Sequence, residues 1–367
     1  MSGNTAEQIL PMLFLLFSGC GLLKSPEEAF SNVEIISMRL PNDGYTQLGG
    51  ATYLNDWISA EVKASGRKYE GRLQISGNIT LRDVKKSYRL DLHRGFEPGR
   101  HQHQYVLSAQ SRDESFIRYR LASHFFKKAG FHCSNLRPVE LFINNELHGL
   151  YLEREPVDSA FFLDRGLPVS SLYKIHTNAQ LDAGKEIVPE QIFEKKLPDN
   201  DRCFDDIERL VDIATEGIDA DNLPVLRQIL DVEKALDYYA VSILINHGDG
   251  ISNNYYLYLN TETKLFEFIP WDLDQTFSGS YAGLYHYKNG LFEQLERIPG
   301  CRDYILKRVI ELFDYQEALQ LAEAYLIEVE SAYCRDPYLL RAGSNLHSAA
   351  ADVSLYLENL SKTFQDF

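Results

Sequence analysis

Asp249 and Asn254 stand five positions apart in His247-Gly248-Asp249-Gly250-Ile251-Ser252-Asn253-Asn254, and Trp271-Asp272-Leu273-Asp274 follows after a tyrosine-rich stretch. This is the order of a phosphoryl-transfer site, in which one aspartate accepts the proton of the attacking hydroxyl while an asparagine and a second aspartate bind metal. Magnesium suits such a set, because it prefers hard oxygen ligands and commonly takes one or two of them from the protein. Asp272 and Asn254 could supply them. Asp274 shares the face of Asp272 if the segment is extended, so it reads as a second ligand or as a group orienting the first. The bland alternative is a surface or capping role for Asp274, and the Asp249 to Asn254 spacing alone is weak because Asp-Gly and Asn-Asn also make turns.

The elements around the motif must bring these groups together. Upstream, Val232, Ala235, Leu236, Tyr239, Ala240, Ile243 and Leu244 form an apolar stripe on a helix from Asp231 to Asn246, and Gly248 suits its C-terminal turn. A buried helix then delivers Asp249 into a loop. Downstream, Tyr256 and Tyr258 alternate against Phe266 and Phe268 across a turn at Thr261 to Lys264, which predicts a hairpin ending near Trp271. A nucleotide also needs a cation for its phosphates. In Lys86-Ser87-Tyr88-Arg89-Leu90-Asp91-Leu92 the strand period puts Lys86 on the inward face with Tyr88, Leu90 and Leu92, where it requires an anion. Snorkelling from the strand end is the alternative reading, and Lys85 is the neighbouring candidate.

From Val33 to Glu155 the chain reads mostly as strands: Glu34 to Arg39, Trp57 to Ala64, Glu70 to Ser76, Ser87 to His93, and a hairpin from Val139 to Glu155 turning at Asn144-Asn145. One helix interrupts them, with Ser111 and Glu114 as a capping box, Ile117, Leu121 and Phe125 at helical spacing, and Gly130 as its stop. From Gly166 the pattern turns mainly helical, over Asp205 to Ala214, Leu223 to Leu230, Arg302 to Phe313 and Tyr315 to Ser331. The expected class is α+β, with a strand-rich lobe over residues 33–165 that holds one helix and a mainly helical lobe over 166–367.

Composition is consistent with that division, since 367 residues at 44% hydrophobic and 25% charged can fill two lobes. A net charge of -16 argues against nucleic acid as a partner, because such affinity comes largely from Lys and Arg neutralising phosphates. Ile9 to Phe17 is apolar but too short to span a bilayer, and Leu16-Phe17-Ser18-Gly19-Cys20 resembles a bacterial lipobox. Residues 1–19 thus read as a lipoprotein-type signal peptide, Cys20 as a lipidated membrane anchor and residues 20–32 as a tether, placing the protein in the cell envelope. Met1 to Gln8 has no Lys or Arg, which leaves a cytoplasmic form as the alternative. Cys133, Cys203, Cys301 and Cys334 have no metal-ligand spacing, and both disulfides and free thiols stay open.

Four blocks together resemble the CotH kinase family, spore-coat-protein-H-like atypical protein kinases, over roughly residues 70 to 280. They are Gly77-Asn78 leading to Lys85-Lys86-Ser87-Tyr88-Arg89, Asp113 to Ala122 with Arg118, Phe142-Ile143-Asn144 through Gly149-Leu150-Tyr151 to Glu155, and Asp249 to Asn254 with Trp271 to Asp274. The resemblance implies a protein-kinase-like two-lobe fold and a secreted or surface-associated enzyme. Its reaction would move the γ-phosphate of ATP, with Mg2+ or Mn2+, to serine or threonine hydroxyls of a protein substrate. It makes Asp249 the catalytic aspartate, Asp272 the metal-binding one and Lys86 a contact to ATP phosphates, and it places Arg118 and Glu155 at recurring nucleotide-site positions. Arg118 as a helix-face ion-pair partner and Glu155 as a hairpin-end surface residue are the plain alternatives. The backbone N–H of Gly77 would cover ATP, although the family tends to read Arg-Gly-Asn-Ser-Ser where this chain has Ser76-Gly77-Asn78-Ile79-Thr80. Two other functions stay in view. An inactive kinase-like binding or adhesion module would hold nucleotide without transferring phosphate, and a metal-dependent phosphohydrolase using Asp249, Asp272 and Asp274 would release free phosphate.

Overall fold

Alternation of apolar and polar residues sets the N-terminal part of the computed structural model, which describes residues 32–44, 48, 57–77, 79–176, 181–279 and 290–365. The signal-peptide, Cys20 and Asn78 readings lie outside the described residues, as does nearly all of the tether. Strands β1 (Glu34–Arg39), β2 (Ile58–Ala64), β3 (Arg67–Ser76), β4 (Ser87–Leu92), β5 (Gln104–Ser108), β6 (Leu136–Ile143) and β7 (Glu146–Arg154) close into a barrel in the order β1-β2-β3-β4-β5-β7-β6. In β2, for example, Ile58, Ala60, Val62 and Ala64 point inward while the residues between them are exposed. The barrel is filled by side chains such as Ile36, Val62, Leu73, Leu90, Leu107, Leu141 and Tyr151. Its seam is the parallel pairing of β1 with β6, Glu34 opposite Val139 through Met38 opposite Ile143. The β6–β7 turn is made by Asn144 and Asn145, both in the left-handed region at φ 49° and 68°, as a two-residue hairpin demands.

Two expectations need correction. A closed seven-stranded barrel replaces the kinase-like strand lobe read from the sequence, because β1 returns to pair with β6 across about a hundred residues, a pairing with no local signal. Helix α1 (Arg118–Lys128) starts after the proposed Ser111–Glu114 box, and its first N–H is taken instead by Asp113, whose Oδ2 accepts from Arg118 N at 2.9 Å. Gly130 ends α1 as expected, at φ 83°.

The C-terminal part is not purely helical either. Strands β8 (Val169–Ile175), β9 (Phe193–Leu197), β10 (Tyr255–Asn260) and β11 (Phe266–Pro270) form a sheet in the order β11-β10-β8-β9. Both of its faces are covered. Tyr255, Leu257, Phe266 and Phe268 join the large core around α2 (Val232–Leu244), whereas Tyr256, Tyr258, Ile269 and Trp271 pack with Val157, Phe161 and Phe162. The helices Asp205–Glu216, Pro299–Leu312 and Tyr315–Tyr333 lie close to where helical periodicity predicts, the expected Leu223 to Leu230 helix is confined to Leu223–Leu226, and Leu346–Gln365 is a further helix. The chain is therefore α+β, strand-rich in its N-terminal part. Among the described residues Cys133, Cys203, Cys301 and Cys334 are free thiols, and no helix is long and apolar enough to cross a membrane.

Candidate functional site

The end of α2 delivers the aspartate segment. Asp231 caps the helix by accepting from Lys234 N, and Asn246 takes a left-handed φ of 54° just past its end, turning the chain into His247-Gly248-Asp249. Asp249 opens a one-turn helix, Asp249–Ser252, rather than lying in an irregular loop. Its carboxylate is held on both oxygens: Asn253 Nδ2 donates to Oδ1, and Asn254 Nδ2 donates to Oδ2 at 2.7 Å. A carboxylate offers about four lone-pair directions, so two remain for a further donor.

His247 and Gly250 fix the turn from below. The ring is fully buried, with the Trp271 main chain as a weak polar neighbour. Burial pushes its imidazolium down to about 4, against the smaller effect of the Asp272 charge, which keeps the ring neutral at pH 7. A Cβ on Gly250 would lie 1.8 Å from His247 Cδ2, so only glycine admits the ring. On the other side, Tyr238 Oη donates to the Gly250 carbonyl at 2.7 Å.

The hairpin returns the chain to the same place. Trp271 N donates to the Asn254 carbonyl at 3.2 Å, so the Asp249–Asn254 turn and the Asp272 segment adjoin at neighbouring strand ends. Asp272 sits in the left-handed region at φ 59°, and a 3-10 turn, Leu273–Gln275, follows at once. The segment is not extended, so the alternation that placed Asp274 on the face of Asp272 does not operate. Asp274 is nonetheless in the field of the cluster: burial first, then the charges of Asp272, Asp113 and Asp249, raise its carboxyl to about 7, with Arg154 opposing. Among the described residues no three His, Cys, Asp or Glu side chains are grouped to hold a metal ion, so a divalent cation here would rest on the two carboxylates Asp272 and Asp274, the amide oxygen of Asn254 and water.

Sequence reasoning missed the groups that hold Asp272. Arg154, the last residue of β7, donates from Nη1 to Asp272 Oδ1 at 2.7 Å, and its guanidinium lies 4.1 Å from the Trp271 ring centroid. Tyr119 on α1 accepts from Asp272 N at 3.1 Å, and burial raises its phenol to about 12. The barrel edge and α1 thus both reach the aspartate. Neither contact has a sequence signal, since 118 and 153 residues separate the partners.

The remaining predicted residues fall elsewhere. Arg118 donates to the Thr276 carbonyl and lies 3.7 Å from Asp113, tying α1 to the segment after Asp274. Glu155 is buried and accepts from Arg165 at 2.9 and 2.6 Å and from Asn135 N at 2.9 Å, so its oxygens brace the β7 end rather than face Asp249. Gly77 follows β3 at φ 125°, a value that favours glycine, and is exposed. Lys86 precedes β4 and is half-buried with its ammonium on the Leu81 carbonyl at 2.6 Å. The inward lysine is Lys85. It donates to the Leu150 carbonyl, pairs with Asp336 at 2.6 Å and sits 4.6 Å from the Tyr151 ring centroid. The strand starts only at Ser87, so its period does not extend back to Lys86, and the buried position shifts by one residue.

Comparison with known proteins adds a family. The family model described as "CotH kinase protein" matches residues 73–319. The inner spore coat protein H of Bacillus subtilis (strain 168) is 26% identical over 238 residues, covering 62% of this chain and 65% of that protein, just under two thirds of its length. The crystal structure of a Helicobacter pylori proinflammatory kinase, CtkA, aligns with 75% of this chain and 90% of its own at 11% identity and a TM-score of 0.30, too low to carry an argument.

Proposed function

The chain belongs to the CotH kinase protein family, and from that premise we propose that it is an ATP-dependent protein kinase that phosphorylates serine or threonine hydroxyls of a protein substrate. The observation that carries this reading is the meeting of two segments, Asp249 with Asn254 and Asp272 with Asp274, through the Trp271 to Asn254 main-chain bond. In this reading residues 33–165 and 166–367 work as two lobes, with the closed barrel standing in place of a kinase strand lobe.

Asp249 takes the proton of the attacking hydroxyl. The two asparagine amides orient its carboxylate and leave lone pairs for the substrate, and the buried His247–Gly250 contact keeps the turn from shifting. Asp272, Asp274 and the free carbonyl oxygen of the Asn254 side chain would hold Mg2+ or Mn2+. Such an ion, when bound, neutralises charge on the phosphates. Tyr119 and Arg154 keep Asp272 in its left-handed conformation, and Arg154 offsets part of the negative charge of the cluster. Arg118 and Glu155 act at one remove, by fixing the Thr276 main chain and the Asn135–Arg165 corner.

Incubating the protein with γ-labelled ATP, Mg2+ or Mn2+ and a serine-rich protein or peptide tests the reaction class. Label on the acceptor supports a kinase, free labelled phosphate alone indicates a phosphohydrolase, and nucleotide binding with neither product indicates a binding module. The lipid-anchored, cell-envelope placement is part of the same proposal: Cys20→Ala should release the protein from the membrane fraction, and an unchanged soluble distribution in both forms refutes it.

A further inference from the structure

The cation that the nucleotide phosphates require has no evident source in Lys85 or Lys86. Lys85 is buried and neutralised by Asp336, and the Lys86 ammonium is engaged by a main-chain carbonyl. A different lysine stands beside the aspartate cluster. Lys174 lies on β8, directly opposite Tyr256 of β10 in the sheet register and opposite Glu194 of β9. Residues opposite each other across strands share a face, so the row Glu194, Lys174, Tyr256 lies on the face that continues to Trp271.

The contacts along that face are specific. The Lys174 ammonium is 5.9 Å from the Tyr256 ring centroid, Tyr256 meets Trp271 edge to face at 5.6 Å, and Trp271 lies under Arg154, which holds Asp272. Glu194, the carboxylate opposite Lys174 across the strands, is turned to Lys196 at 2.6 Å. Among the described residues Lys174 therefore has no ion pair, although it is half-buried. An unpaired ammonium out of bulk water is unfavourable unless an anion reaches it, and burial lowers its affinity for the proton, with the Asp272 charge acting the other way.

We propose that Lys174 is a phosphate-binding residue for the nucleotide, reaching the phosphates from the β8–β10 sheet face beside Asp272 in place of a lysine from the barrel. This inference rests on the kinase reading above. A lysine meeting a phosphate oxygen makes a charge-assisted hydrogen bond, which sets the size of the expected effect.

The test is a binding series with adenosine, AMP, ADP and ATP in the presence of Mg2+, measured by titration calorimetry on wild type, Lys174→Met and Lys174→Arg. Lys174→Met should weaken ATP by about 10- to 100-fold, with the loss shrinking as phosphates are removed and vanishing for adenosine, while Lys174→Arg keeps most of the affinity. A folding defect would lower adenosine and ATP binding alike, so an equal loss for both overturns the proposal. Wild-type affinity for ATP in Lys174→Met overturns it while leaving the kinase reading intact. A wild type that binds no adenine nucleotide overturns both.

Discussion

Replacing Gly250 by alanine should push a methyl group into the His247 ring, and the effect can be isolated with a second substitution. The added Cβ would lie 1.8 Å from Cδ2 and 2.0 Å from Nε2, where real Cβ contacts essentially never fall under 3.0 Å. The ring must retreat by more than about 1 Å, and it is fully buried, where close packing resists such a shift. The backbone at Gly250 is not left-handed, so the clash is the whole effect. Overpacking of this kind costs about 1–3 kcal/mol. His247→Ala alone leaves a cavity, at a cost on the order of 2 kcal/mol. In the double variant the new methyl occupies space the ring has vacated, so the two costs should not add: a coupling of at least about 1 kcal/mol is expected. Urea unfolding of the four proteins at one pH, with equal m-values, measures it. Costs that add to within about 0.5 kcal/mol would mean that the ring and Gly250 do not touch.

Other substitutions probe the rest of the account. Lys85→Met removes the counter-charge of Asp336 but leaves its carboxylate on the N–H groups of Leu150, Tyr338 and Leu339, so it should cost about 3 kcal/mol in unfolding experiments, yet leave ATP affinity unchanged while the protein is folded; a selective loss of ATP affinity would make Lys85 a phosphate ligand. Tyr119→Phe removes the acceptor for Asp272 N and should cost about 1 kcal/mol in thermal unfolding, with a larger proportional loss of phosphate transfer; unchanged transfer would show that Asp272 needs no such support. Glu153, buried beside Arg137, has a folded-state value of about 7 against 4.5 in the unfolded chain. Burial raises it, so its contribution to stability is full below about 4.5 and is lost as pH rises through 7. The displacement amounts to about 3 kcal/mol. Wild type should lose stability relative to Glu153→Gln between pH 4.5 and 8, and parallel pH profiles would refute this.

Local pattern explains what the sequence reveals and what it hides. The strands Glu34–Arg39 and Ile58–Ala64 are readable because one face is buried and the other wet. Strand β8 is not, because its sheet is covered on both faces and the alternation disappears. Barrel closure depends on a β1–β6 pairing far apart in the chain, which leaves no local trace. The Asp249–Asn254 and Asp272–Asp274 segments are separated by a single hairpin, so their meeting is legible. Arg154, Tyr119 and Lys174 arrive from other elements through tertiary packing, and the Lys85/Lys86 assignment turned on where one strand begins. Gly248 and Gly250 illustrate the same limit: sequence suggests turn formers, whereas the structure gives Gly250 a steric reason in the His247 ring.

The central claim is that Asp249 and Asp272 perform distinct parts of phosphate transfer. Transfer of label from γ-labelled ATP to a serine-rich protein acceptor should be compared for wild type, Asp249→Asn and Asp272→Asn, with ATP binding measured in parallel. Transfer should fall by at least about two orders of magnitude in each variant, with ATP binding retained in Asp249→Asn. Equal labelling by wild type and both variants would contradict that claim.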